Sequence, residues 1–409
     1  MTRPDKGRGV VILDKSVYLE RMEELISDPG KFLEISEPIF KFTLRIEDKI
    51  NNYLRKLKKL CLITEDLYKQ LFVSGGGPGV LYGLPKIHKP DFVSNFKFRP
   101  IFSAINCPSF NLSKFFVKIL EPLTRSEYTL ENSKSFVEVI TKFGNADSYT
   151  MASFDVENLF TNIPLTETIN ICLNSLFPLS SSSVLGLKRE FFQKLLELAT
   201  CNSYFMFNSK FYHQIDGVGM GIPLGPTLAN TFMCFYEKIW LRDCPDDFRP
   251  ILYRRFIDDT FLLFRDSAHV NKFYHYLNQK HPNIKFTKEI ESNKSLSFLD
   301  VEIVKSNNAF ATNVYRKPSF TGQGFSFHSF CPFNVKIAVL KTYLHRAYDI
   351  CSTYVSLDRE FSFFRSYLMN NGYLSRTIYH LNPYHPNILY IVGVHFLYII
   401  QYLLQFIVI

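Results

Sequence analysis

Residues 256–264 read Phe-Ile-Asp-Asp-Thr-Phe-Leu-Leu-Phe, two adjacent carboxylates enclosed by apolar residues. Such a stretch folds readily as two strands joined by a tight turn, with Asp258 and Asp259 at the tip, because the apolar flanks can be buried and the carboxylates cannot. Two neighbouring negative charges repel, and a bound divalent cation cancels that repulsion, so the doublet is a candidate Mg²⁺ site. An ordinary Asp-Asp turn satisfies the same residues, since Asp is a common turn former. Three further segments, in a definite order along the chain, decide between the two.

The first is Ser153-Phe154-Asp155-Val156-Glu157-Asn158-Leu159-Phe160, where a β-prone run from Tyr149 delivers a third carboxylate, Asp155, and an aromatic follows at Phe160. The second is the Gly/Pro stretch Gly217 to Pro226, leading into a helix over Thr227 to Met233; its glycines allow close backbone approach to a ligand. An ordinary turn before a helix is the plainer reading of that segment. The third is Ser297 to Ile303, whose alternation predicts a strand beyond the doublet.

Taken together, these segments resemble the palm of reverse transcriptases, specifically those of Penelope-like retroelements. The narrower resemblance is carried by Leu81-Tyr82-Gly83-Leu84-Pro85-Lys86-Ile87-His88-Lys89-Pro90, Arg99-Pro100-Ile101, the Phe-Leu-Asp-Val-Glu-Ile run at 298–303 and Tyr315-Arg316-Lys317-Pro318. It implies an α+β right-hand polymerase with fingers, an antiparallel-sheet palm and a helical thumb, acting as an RNA-directed DNA polymerase that adds dNTPs to a DNA primer on an RNA template. It also implies two Mg²⁺ ions, with Mn²⁺ as an alternative, held by Asp155, Asp258 and the Val156 carbonyl, with Asp259 near the primer end. Phe160 matches the aromatic that crowds a ribose 2′-hydroxyl, although a buried core Phe is a live alternative in a chain with 41 Phe. Arg99, with Lys86 or Lys89, matches positions that clamp the triphosphate, a task suited to guanidinium and ammonium groups, while solvated surface is the other reading for each lysine. Gln214 and Gly221 match the segment supporting nucleotide and template. Group II intron and telomerase enzymes share this palm, so template origin and priming mode are not specified.

Composition agrees with this reading without having suggested it. Among the 409 residues, 47 Lys plus Arg against 38 Asp plus Glu give a net charge of +9, favouring polyanionic partners. The eight cysteines show no CxxC pair or zinc spacing, so reduced, mostly buried thiols are expected rather than a disulfide framework or structural zinc. No period suggests a repeat, and no secretory signal opens the chain. Tyr18, Met22, Leu25 and Ile26 fall at helical spacing, as do Ile50, Leu54, Leu57 and Cys61. Lys49, Arg55, Lys56, Lys58 and Lys59 give the second helix a basic face, which reads as solvated surface or as contact with a template backbone. Asn202 to Gln214 reads as a hairpin around Asn208-Ser209.

Strands are expected mainly between 149 and 304, with helices before and after. The expected divisions are a partial N-terminal helical region at 1–60, fingers and palm at 61–305, a helical thumb at 306–378 with helices at Lys336 to Ala347 and Arg359 to Met369, and an apolar tail at 379–409. Two departures from the family pattern stand out: Phe256 replaces a common Tyr before the doublet, and no GIY-YIG endonuclease motif follows the thumb. Both ends therefore read as truncated. Ile388 to Ile409 carries no Asp, Glu, Lys or Arg and is long enough for one membrane span. His395, Gln401 and the abundance of β-branched and aromatic residues favour an aberrant tail instead, so an intracellular protein, nuclear or cytoplasmic, is expected. The alternative function is a catalytically silent nucleic-acid-binding remnant: intact Asp155, Asp258 and Asp259 favour the enzyme, and the short ends favour the remnant.

Overall fold

The computed structural model describes residues 1–7, 9–87, 97–179, 182–318 and 320–373. The apolar run at 388–409 and Lys89 lie outside these residues; within them no helix is long and apolar enough to cross a membrane. The chain divides into two units, Met1–Thr129 with Phe154–Glu289, and Leu130–Ser153 with Ile290 onward.

The chain opens with α1 (Lys15–Leu25), β1 (Phe32–Glu34), α2 (Ile39–Lys59), α3 (Glu65–Leu71), β2 (Gly79–Pro85), β3 (Phe98–Ser103) and α4 (Phe110–Leu120). After α5 (Ser133–Ile140) come β4 (Thr150–Val156), α6 (Leu159–Asn162), α7 (Leu165–Leu176), the short strands β5 (Ser183–Val184) and β6 (Leu187–Lys188), and α8 (Arg189–Thr200). Then follow β7 (Ser203–Phe207), β8 (Lys210–Gln214), α9 (Gly225–Arg242), β9 (Leu252–Phe256), β10 (Asp259–Phe264), α10 (Ser267–Lys280) and β11 (Phe286–Ile290). The chain continues through β12 (Ser295–Phe298), β13 (Val301–Ser306), β14 (Ala309–Val314), α11 (Phe333–Ile350) and α12 (Tyr354–Asn370).

Helix α2 shows why the basic stretch folds as it does. Thr43, Ile46, Ile50, Leu54 and Leu57 form one buried stripe at three- and four-residue spacing, which leaves Lys49, Arg55, Lys56, Lys58 and Lys59 exposed. The helix stops at Lys59, so Cys61, expected on the same stripe, is an exposed left-handed residue (φ +55°) beyond its end. The stripe joins a core that includes Met22, Phe102, Phe116, Phe192, Phe205 and Leu228.

Two sheets organise the first unit. One has the order β1-β8-β7-β2-β3, the other β11-β4-β10-β9. The hairpin β7–β8 turns at Asn208 (φ +47°) and Ser209 (φ +62°), the doubly left-handed turn that suits strand twist. Strands β1, β2 and β3 lie before residue 149, which corrects the narrower expected strand range. The cause is plain in β2: its inward positions are Gly79, Leu81, Gly83 and Pro85, while Val80 and Tyr82 face out, so the hydrophobic alternation a strand normally displays is inverted. Gly83 is inward because Met22 of α1 occupies the space a Cβ would need, and its N–H donates to the Tyr18 hydroxyl at 2.7 Å.

In the second unit, β12, β13 and β14 form an antiparallel sheet. The expected single strand over Ser297 to Ile303 is instead two strands bent at Leu299 (φ +57°) and Asp300. The polar turn residue supplies the reason: Asp300 accepts from the Ser133 hydroxyl and ion-pairs with Arg346 of α11, while its carbonyl takes the Tyr315 N–H at 2.9 Å. Helices α11 and α12 are joined by Cys351–Thr353, and Thr353 caps α12 reciprocally with Ser356. Arg316 stacks 3.5 Å from the Phe363 ring centroid and binds Glu360, fixing α12 to the strand exit. The eight cysteines carry no disulfide; Cys107, Cys172, Cys234 and Cys244 are buried, as expected, but Cys61 and Cys201 are exposed.

Candidate active site

The doublet straddles the end of a hairpin turn, with Asp258 in the turn and Asp259 opening β10 rather than both at the tip. Phe256 pairs with Asp259 across β9 and β10, leaving Ile257 and Asp258 as the two turn residues. Ile257 has φ +57°, where a β-branched side chain is a genuine outlier costing about 1–3 kcal/mol. The backbone holds it there because Arg255 Nη1 donates to the Ile257 carbonyl at 2.8 Å. Arg255 itself is 0% exposed, and its fork is spread over Glu237 (Nε, 2.6 Å), Asn230 (Nη1, 2.8 Å) and the Cys234 sulfur (Nη2, 3.4 Å). Tyr253 completes the set by donating its hydroxyl to Glu237 at 2.6 Å. Burial works against the Arg255 charge, but Glu237 outweighs it and the net shift is upward. Burial, then the Glu237 charge, push the Tyr253 phenol well above its ordinary range. The turn that presents Asp258 therefore rests on a buried ionic network.

Asp155 reaches the same place from β4, the neighbour of β10 in the sheet. The Val156 N–H donates to the Asp258 carbonyl at 3.1 Å, so the residue that follows Asp155 is bonded to the backbone of Asp258, far away in sequence. Asp155 is exposed, Asp258 and Asp259 are partly exposed, and Val156 is buried. On the other side the Glu157 N–H donates to the Lys285 carbonyl at 2.8 Å. Asn158, left-handed at φ +48°, then turns the chain into the single-turn helix α6, which carries Phe160. Phe160 is half-buried, so it is not a sealed core residue. Its carbonyl accepts the Val218 N–H at 2.7 Å, and a Cβ at Gly225, the first residue of α9, would lie 4.0 Å from its ring.

Gly217 and Gly221 of this stretch are required by close approach of the chain's own backbone. Gly221 (φ +121°) faces the Phe102 carbonyl so tightly that any Cβ would overlap it, and the Phe102 N–H donates to Met220 at 2.7 Å. A Cβ at Gly217 (φ +74°) would meet the Thr161 carbonyl at 2.7 Å. The 217–225 stretch is thereby clamped between α6 and β3, the strand that carries Arg99. Gln214 is buried and its amide donates to the Asp216 carbonyl at 3.1 Å, so it braces the exit from β8 rather than facing outward. Arg99 lies on β3 opposite Leu84, 40% exposed, with Nε 2.9 Å from Asp5. Lys86 follows β2, partly exposed, with its N–H on the Lys97 carbonyl at 2.8 Å.

No group of three or more His, Cys, Asp and Glu side chains is gathered in a metal-binding arrangement among the described residues. Mg²⁺ keeps several waters and is bound through one or two carboxylates plus substrate phosphates. The hard oxygens of Asp155 and Asp258 fit it. Sequence reading missed Arg255, Glu237, Asn230 and Tyr253. The available signal was weak: Arg255 stands beside a second arginine, Arg254, in β9, and Glu237 stands beside Lys238 in α9.

The family model described as reverse transcriptase (RNA-dependent DNA polymerase) matches residues 87–308. A second, described as an animal helix-turn-helix domain, matches 324–381, where α11 and α12 lie. Comparison with curated proteins gave no match. Among solved structures, telomerase from Candida albicans in complex with a telomeric RNA fragment is 12% identical with TM-score 0.51, covering 90% of this chain and 63% of that one. Apo telomerase from Candida tropicalis, truncated of its C-terminal domain, is 12% identical with TM-score 0.47, covering 73% and 60%. A Sicinivirus RNA-dependent RNA polymerase is 13% identical with TM-score 0.46, covering 76% and 67%. This chain thus spans under two thirds of either telomerase. The mixed helix-and-sheet, right-hand polymerase fold expected from the sequence is the one observed. With more than half of its length matched by that one family model, the chain belongs to the reverse transcriptase (RNA-dependent DNA polymerase) family.

Proposed function

We propose that this chain is an RNA-directed DNA polymerase of retroelement origin, of the Penelope-like kind, which extends a DNA primer on an RNA template with dNTPs. The observation that carries the reading is the Val156–Asp258 backbone bond, which sets the strand end bearing Asp155 against the strained turn bearing Asp258. Asp155 and Asp258, with the Val156 carbonyl, would hold two Mg²⁺ or Mn²⁺ ions. Such ions, about 4 Å apart, stabilise the attacking and leaving oxygens of an in-line displacement. The chain's own contribution is then positioning and charge placement, as is general for phosphoryl transfer. Asp259, beside Asp258 on β10, faces the primer end. Phe160 stands where a ring excludes a 2′-hydroxyl, and Arg99 and Lys86 at the β2–β3 hairpin supply cations for the triphosphate. Gln214 and Gly221 act indirectly, by shaping the loop beneath the nucleotide. Helices α11 and α12 serve as the thumb.

Primer extension by purified protein, with Mg²⁺ or Mn²⁺ and an RNA or DNA template, tests the proposal. Wild type should extend, and Asp155→Asn should lose extension while still binding the template-primer. Equal activity in Asp155→Asn would refute the assigned centre. Binding without extension by the wild type would mark the chain as a silent nucleic-acid-binding remnant.

A further inference from the structure

The opening motif Pro4-Asp5-Lys6-Gly7 has no role in the site so far described, yet it holds a buried carboxylate. Asp5 exposes 3% of its side chain, its Oδ1 lies 2.9 Å from Arg99 Nε, and its Oδ2 is buried without a hydrogen-bond partner. Burying a carboxylate with one oxygen unsatisfied is costly for a segment that serves only as anchorage. The segment is also fixed in place. The Asp5 N–H donates to the Pro85 carbonyl at 2.9 Å, and Thr2 and Val11 close the loop around it with paired bonds of 2.9 and 2.8 Å. Pro85 belongs to β2, the partner strand of β3, and its neighbour Leu84 is paired directly with Arg99. Asp5 is therefore positioned relative to Arg99 by backbone on the adjacent strand.

We propose that Asp5 is a positioning residue for nucleotide binding: it grips Arg99 by Nε and thereby aims the rest of the guanidinium at the polyphosphate of the incoming nucleotide. A guanidinium carries five N–H donors in a rigid planar fork, so an ion pair made on the Nε side orients the terminal donors without consuming them. An unanchored Arg side chain would have to be ordered by the nucleotide itself, which lowers affinity. The inference rests on the polymerase reading above and on Arg99 meeting phosphate.

The test compares wild type with Asp5→Asn, Asp5→Glu and Arg99→Ala. In steady-state primer extension Asp5→Asn should raise KM for dNTP about tenfold with kcat little changed, the size expected for one charge-assisted contact. Asp5→Glu, which keeps the charge, should recover part of that loss. Calorimetric titration with inorganic tripolyphosphate gives the same comparison without extension: binding should weaken in Asp5→Asn and in Arg99→Ala. Unchanged or lower KM and unchanged tripolyphosphate affinity in Asp5→Asn would overturn the inference, a lower KM meaning that Asp5 masks Arg99. Absence of extension by wild type would instead sink the polymerase reading, and the tripolyphosphate titration would still decide the role of Asp5.

Discussion

Replacing Arg255 by Met removes the cation from beneath the Asp258 turn and leaves its partners in place. Glu237, 1% exposed, then keeps a buried charge with only the Tyr253 hydroxyl against it. Breaking a buried ion pair from one side costs about 3–5 kcal/mol, because the stranded charge has lost both water and partner. The bond to the Ile257 carbonyl disappears as well, and with it the contact that offsets a strained turn worth about 1–3 kcal/mol. Urea denaturation should therefore show Arg255→Met destabilised by about 3–5 kcal/mol. Adding Glu237→Leu and Tyr253→Phe removes the stranded groups, and replacing a buried ionic set with apolar residues of similar volume is often neutral or stabilising. The triple variant should thus recover most of the stability. It should not recover primer extension, since the Ile257 carbonyl has then lost the Arg255 donor that fixes the turn. A single variant within about 0.5 kcal/mol of wild type, the range of an inconsequential surface change, would refute the network's structural role. A triple variant with full activity would refute its role in aiming the turn.

Phe160→Ala should admit rNTPs and slow dNTP addition, read as the ratio of the two incorporation rates; an unchanged ratio in a folded protein would show that the ring merely packs against the start of α9. Template-primer affinity should fall steeply with salt, with a log–log slope of about −0.9 per phosphate neutralised on B-form duplex. Lys56→Ala combined with Lys59→Ala should flatten that slope if the exposed face of α2 meets phosphate. Lys58, 2.6 Å from Glu65, is the less informative target. An identical slope in the double variant would return α2 to plain solvated surface.

What could be read from the sequence is what short-range physics specifies. The stripe Ile46, Ile50, Leu54 and Leu57 repeats at helical spacing, so α2 and its exposed lysines were legible. Asn208-Ser209 adopt left-handed conformations at modest cost, so the β7–β8 hairpin was legible too. The motif order from Asp155 to Phe298 gave the family and its fold. Leu299-Asp300 gave a weaker signal: Asp300 is a turn former set inside an alternating run, and the bend is held by Ser133, Tyr315 and Arg346, all distant in sequence. Strand β2 was hidden because its inward residues include two glycines and a proline, and Gly83 is inward only where Met22 of another helix fills the space. Gly221 is shaped by the Phe102 carbonyl, and Gln214 turns its amide to Asp216. The pairings Arg255–Glu237 and Arg99–Asp5 likewise join groups on separate elements. A charged side chain shows that a partner is needed once it is buried, but which partner it finds depends on packing between elements, and local pattern carries no record of that.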